Sequence, residues 1–119
     1  MAQSVFKIEE QGNILILTPF RDLRELEFDA IELGAESVMQ LLDQKHAQHV
    51  VIDFHNTDYY GSTALAFFVK LWKRIRATGG RMVFCGLSEH EHEVLRLTHL
   101  DSLWPICQTR EESLTLLSQ

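Results

Sequence analysis

The sequence predicts an α/β domain: a mixed sheet of four to five strands that opens with a β-hairpin and carries helices packed on it. Three observations lead there. Apolar, strand-like runs alternate with helical patterns through the middle of the chain, which implies parallel strands joined by right-handed crossovers. The two earliest apolar runs are separated by Gln11-Gly12-Asn13, and Gly followed by Asn signals a hairpin turn. At 119 residues, 45% of them hydrophobic, the chain can bury one real core. Residues 1–119 therefore read as a single domain.

Val5-Phe6-Lys7-Ile8 and Asn13-Ile14-Leu15-Ile16-Leu17 are the hairpin strands, and Pro19 ends the second. Arg21 to Phe28 is charged and connective and takes no assignment. From Asp29 to about Lys45, Ile31, Leu33, Ala35, Val38, Leu41 and Leu42 recur mostly at helical spacing. Asp29 suits the start of this helix, Glu32 and Glu36 lie near its favourable end, and Gly34 costs ~1 kcal/mol relative to Ala. His46 and His49 lead into Val50-Val51-Ile52-Asp53-Phe54. That run is apolar on both faces apart from Asp53, as in a strand covered by helices.

The clearest helix runs from Ser62 to Thr78. Ala64, Phe67, Phe68, Leu71, Trp72 and Ile75 form one face, Lys70, Lys73 and Arg74 the other, and Gly79-Gly80 cap the end. Leu65 and Val69 widen the apolar arc, so either neighbouring elements cover them or they meet a partner. Arg81 to Leu87 is another buried strand. Ser88 with Glu91 three residues on is a capping box, opening a helix through Val94, Leu95 and Leu97 to about His99. Leu103-Trp104-Pro105-Ile106 suggests a short edge strand, where Pro105 is tolerated. Arg110-Glu111-Glu112 start a closing helix with Leu114, Leu116 and Leu117. The predicted core is Val51, Phe54, Phe67, Leu71, Val83 and Leu95.

Several function classes are disfavoured. A net charge of −6 argues against general nucleic-acid binding, and the cations Lys70, Lys73, Arg74, Arg76 and Arg81 read as one solvated face. No apolar run approaches the ~20 residues that span a bilayer. Met1-Ala2-Gln3-Ser4 does not begin a signal peptide, so a cytoplasmic location is expected. Cys85 lies inside an apolar run and reads as a small buried hydrophobe. His90-Glu91-His92-Glu93 lacks the i, i+4 histidine pair of a helical zinc site, so no metal is expected. Gly61-Ser62-Thr63-Ala64 lacks the G-x-S-x-G of a hydrolase elbow, and no phosphate-binding glycine loop opens a helix. No catalytic residue and no cofactor is expected.

The stretch that concentrates chemistry is Asp58-Tyr59-Tyr60-Gly61-Ser62-Thr63-Ala64-Leu65, where strand gives way to helix. A helix N-terminus has unpaired N–H groups and a partial positive charge that favours anions. Two hydroxyls there serve as a cap or as a phosphate acceptor. One residue suffices to cap. With Ser62 as the cap, donated to by the N–H of Ala64 or Leu65, Thr63 becomes the first helical residue and points outward.

These residues resemble a STAS domain of the anti-sigma-factor antagonist family. The likeness runs through Val50–Phe54, Tyr59–Leu65, Trp72-Lys73-Arg74, Gly79–Leu87 and Val94–Ile106. The family signature is Asp-Ser-Ser-Gly or Asp-Ser-Thr-Gly followed by Leu. Laid on this chain, the acid falls at Gly61, the hydroxyls at Ser62 and Thr63, the glycine at Ala64 and the leucine at Leu65. The hydroxyls and the leucine match; the acid and the glycine do not.

The resemblance implies a phospho-switch that binds an anti-sigma factor with Ser/Thr kinase activity when unphosphorylated. It places the phosphate on Thr63, with Ser62 the alternative. The partner surface is expected on loop 55–60 and the following helix, at Asp58, Tyr59, Gly61, Ser62, Thr63, Leu65 and Val69. Two other readings stay open: an unphosphorylated STAS subunit of an ABC-type transporter, and a scaffold subunit of a stress-sensing assembly.

Overall fold

The computed structural model describes residues 5–44 and 47–119, with Leu26 described by its backbone alone. Met1–Ser4, the expected helix end at Lys45, and His46 lie outside the described residues. Among the described residues five strands form one sheet, β1 (Phe6–Gln11), β2 (Ile14–Pro19), β3 (His49–Asp53), β4 (Met82–Cys85) and β5 (Ile106–Cys107), lying side by side in chain order. The β1–β2 hairpin is antiparallel and every later pairing is parallel. Between and after the strands come α1 (Phe28–Asp43), α2 (Ser62–Ala77), α3 (Glu89–Leu97) and α4 (Arg110–Leu117).

Strand side chains alternate between faces, and this divides the interior in two. Leu15, Leu17, Val50, Ile52, Met82 and Phe84 join Ile31 and Val38 of α1, Phe67, Phe68 and Leu71 of α2, and Leu95 of α3. Ile14, Ile16, Val51, Val83 and Cys85 face the other way and pack with Leu117, Leu114 and Leu116 of α4. All six predicted core residues are buried. They are not one core, however: Val51 and Val83 face α4, while Phe54, Phe67, Leu71 and Leu95 belong to the larger cluster.

Helix α2 ends as expected. Gly79 takes φ +81°, which costs a residue without Cβ nothing. The Gly79 N–H donates to Arg76 O at 3.0 Å and the Gly80 N–H to Ile75 O at 2.9 Å, so both orphan carbonyls are satisfied. The edge strand differs from expectation. Trp104 turns into the larger core, its ring 4.8 Å from that of Phe84, and Leu103 closes the 3-10 turn Leu100–Ser102. With the indole turned inward, the ladder to β4 is confined to Ile106 and Cys107. Helix α3 stops at Leu97, two residues short, because His99 adopts the left-handed conformation (φ +60°).

On the α4 face a polar cluster fixes the end of β3. Arg110 donates from Nε to Asp53 Oδ2 (2.9 Å), from one terminal nitrogen to Glu9 (3.2 Å) and from the other to Thr18 Oγ1 (3.0 Å). Asp53 Oδ1 accepts from the His55 backbone N–H (3.1 Å), with His55 Nδ1 2.9 Å away. Burial opposes ionisation of Asp53, but His55 and Arg110 together hold its carboxyl below the ordinary value. The chain leaves β3 from a fixed anchor.

Candidate functional site: the N-terminus of α2 and its clasp

Gly61 caps α2 in an extended conformation (φ −99°, ψ −173°), and the helix proper starts at Ser62. The expectation that Ser62 is the cap is therefore corrected: Ser62 is the first helical residue and Thr63 the second. Ser62 is exposed and Thr63 half-buried. The shift comes from the segment that took no assignment in the sequence. Leu23 bridges Tyr60 in parallel, donating its N–H to Tyr59 O (3.2 Å) and accepting the Gly61 N–H (2.8 Å). This ribbon holds residues 59–61 extended, so helical turning is delayed to Ser62.

Gly61 has no side chain to offer the helix end, and a carboxylate from elsewhere stands there. Glu25, the first residue of the 3-10 turn Glu25–Glu27, accepts a hydrogen bond from the Tyr59 hydroxyl (3.0 Å). Its own backbone N–H, the Tyr59 hydroxyl and the Ser62 N–H hold its carboxyl below the usual range. A Cβ added at Gly61 would fall on this carboxylate. The same bond pushes the Tyr59 hydroxyl pKa up, and the Arg24 guanidinium lies 5.9 Å from the Tyr59 ring centre.

The loop between β3 and α2 is pinned from below by α3. Glu91 is fully buried; its carboxylate accepts from the Thr57 hydroxyl (2.6 Å) and the Ser88 N–H (3.0 Å), completing the predicted capping box. Burial pushes the Glu91 carboxyl pKa up, against the pull of those donors. The buried Tyr60 donates its hydroxyl to Glu91 O at 2.6 Å, and its ring meets Phe54 and Phe68 edge-on. Asp58 is exposed, yet its N–H donates to Asp22 Oδ1 (2.8 Å) and its carbonyl accepts from the Ser88 hydroxyl (3.2 Å).

Of the expected partner residues, Asp58, Tyr59, Gly61, Ser62 and Thr63 gather around this helix end. Leu65 and Val69 lie further along α2, half-buried against the larger core, which leaves less of them to present. Ser62 and Thr63 also line a groove of about 730 Å³ between α1 and α2, whose apolar lining includes Phe28, Ile31, Ala35, Met39 and Phe67. Sequence reasoning missed Asp22, Arg24 and Glu25. They stand in a charged stretch without periodicity, and only the pairing of Leu23 with Tyr60 brings them to the site.

Elsewhere, burial pushes the Cys85 thiol up to about 12, so it stays protonated and unreactive. The His90 ring lies tilted against Tyr59, centre to centre 5.6 Å, while Glu91 turns inward, and among the described residues no metal-holding group forms there. Among the described residues, no helix is long and apolar enough to cross a membrane.

An open mixed sheet with three helices on one face and one on the other, presenting a clasped loop and a hydroxyl pair at a helix start, defines a class of small α/β domain. The chain belongs to the STAS domain family, whose profile matches residues 6–113. BtrV of Bordetella bronchiseptica, a candidate anti-sigma factor antagonist, is 31% identical over 83 residues, covering 70% of each chain. The anti-sigma F factor antagonist of Paenibacillus polymyxa is 22% identical over 93% of this chain and 92% of its own. The fold matches the phosphorylated form of the Bacillus cell-fate determinant SpoIIAA with a TM-score of 0.75, at 17% identity, covering 92% of this chain and 96% of that one.

Proposed function

We propose that this domain is an anti-sigma-factor antagonist, a binding module of the cytoplasm that engages an anti-sigma factor through the N-terminus of α2 and is released when a hydroxyl there is phosphorylated by that partner. The observation that carries this is the exposed Ser62 at the first position of α2, beside a loop held rigid by Glu91 and Asp22. A phosphate at that place adds about −1.5 to −2 charges to a surface rich in acids, which repels an acidic or apolar partner face without unfolding the domain. The resemblance put the acceptor at Thr63. With Ser62 no longer the cap, exposure now favours Ser62 and leaves Thr63 as the alternative.

The test is a pull-down from the native cell with mass spectrometry, recording both the captured proteins and any phosphate at Ser62 or Thr63. Capture of a kinase-type anti-sigma factor, with phosphate blocked by Ser62→Ala and partner binding locked on, supports the reading. Phosphate on neither residue, with an ABC ATPase or a sensor module captured instead, supports the transporter or scaffold reading, which Gly61 in place of the signature acid favours.

A further inference from the structure

We propose that Glu25 is the resident anion of this site: its carboxylate clasps Tyr59 and stands beside Gly61 at the start of α2 in the unmodified protein, and an anion introduced at Ser62 or Thr63 expels it. The inference deepens the phospho-switch reading and rests on it for its biological meaning. Its physical content does not depend on any partner.

The geometry is specific. Glu25 reaches across from the turn before α1 to take the Tyr59 hydroxyl with both oxygens, at 3.0 and 3.3 Å. It lies where a side chain at residue 61 would stand, beside the residue that caps α2. A helix start favours negative charge nearby, and here a carboxylate already stands beside it. A second anion one or two residues away brings a like charge against the first and repels it. Expelling Glu25 frees the Tyr59 hydroxyl and loosens the 22–25 segment, which also supplies Asp22 to the Asp58 N–H. A modification of one hydroxyl is thereby passed to Tyr59, Asp58 and the turn before α1, a surface wider than the phosphate itself.

Two measurements on the full chain test this without a kinase. The first is a double-mutant cycle between Gly61→Asp and Glu25→Ala read by thermal melting. Residue 61 has an extended backbone that any residue adopts, so the cost of an aspartate there arises from Glu25. Gly61→Asp is expected to lower the melting temperature when Glu25 is present and to leave it unchanged or raise it in the Glu25→Ala background, where the aspartate can itself cap α2. An equal loss in both backgrounds overturns the proposal.

The second is a pH titration of the Glu25 side-chain carboxyl and the Ser62 amide by NMR. In the parent, both resonances are expected to share a midpoint below that of an ordinary glutamate, and the Ser62 response disappears in Glu25→Gln. In Ser62→Asp the Glu25 midpoint rises, because the carboxylate has lost its donors and gained a like charge. A Ser62 amide that titrates alike in parent and Glu25→Gln, or a Glu25 midpoint unmoved in Ser62→Asp, refutes the clasp. If the clasp behaves as expected but no phosphate is ever found on Ser62 or Thr63, the phospho-switch reading alone fails.

Discussion

Removing the Arg110 side chain should destabilise the domain out of proportion to its partial exposure, because it leaves one oxygen of the buried Asp53 without a partner. Asp53 is 5% exposed and pairs with Arg110 Nε at 2.9 Å. Breaking a buried pair by deleting one partner costs roughly 3–5 kcal/mol. Asp53 keeps the His55 N–H and Nδ1 on its other oxygen, and Arg110 is about a quarter exposed, so Arg110→Ala belongs at the lower end, about 3 kcal/mol. For 119 residues, an unfolding entropy of about 2.1 cal/mol/K per residue turns that into a fall of about 12 °C in Tm.

The effect depends on pH with a definite sign. The Asp53 pKa is lowered on folding, so its contribution is present above the unfolded carboxylate pKa and is lost as pH falls through the folded value. Without Arg110 the folded value rises towards that of the unfolded chain, and the parent and variant converge in acid. Urea denaturation at neutral and acidic pH measures this. Asp53→Asn in the Arg110→Ala background should recover much of the loss, since a buried amide replaces a buried charge. A variant within about 0.5 kcal/mol of the parent at pH 7, the range of an ordinary surface substitution, would refute the reasoning.

Glu91→Gln keeps an acceptor for the Ser88 N–H and removes a desolvated charge. The Glu91 pKa is raised on folding, so the stability it contributes is present below the unfolded value and is lost as pH rises through the folded one. The variant should therefore gain on the parent as pH rises, read as a crossing pair of stability–pH curves; parallel curves would contradict the assignment. Phe67→Ala and Leu71→Ala truncate residues that are 6% and 0% exposed, and each should cost ~2–5 kcal/mol in denaturant unfolding. Ser62→Ala should change stability by less than about 0.5 kcal/mol, since Ser62 is exposed and Gly61 is the cap; a loss of about 1 kcal/mol, as for a missing cap, would restore Ser62 to that role.

The sheet was legible in the sequence because its strands are long apolar runs separated by helical periods, and the buried face of α2 followed from spacing alone. The Ser88–Glu91 capping box was equally plain, since it is a purely local device. Thr109 caps α4 with Glu112 by the same local device, which stands just outside the apolar pattern used to find that helix. What else the sequence concealed is non-local. The division of Val51 and Val83 from Phe54 and Leu71 depends on which side of the sheet each helix takes, which alternation does not specify. Gly61 read as an acid missing from a signature. In space a carboxylate does stand beside it, contributed by Glu25 from a stretch with no pattern to read.

The pieces of this site are scattered along the chain: Asp22 and Asp58 meet across 36 residues, and Thr57 and Glu91 across 34. No linear peptide can reproduce them. A fragment spanning β3, the loop and α2 would carry both hydroxyls and every residue of the matched signature. It would lack Leu23 to hold the loop extended, Glu91 to receive Thr57 and Glu25 to occupy the helix end. A partner that recognises this surface consequently tests for the finished fold. A nascent or damaged chain displaying the same signature would be passed over, so the number of antagonists such a partner counts is the number correctly folded, not the number synthesised.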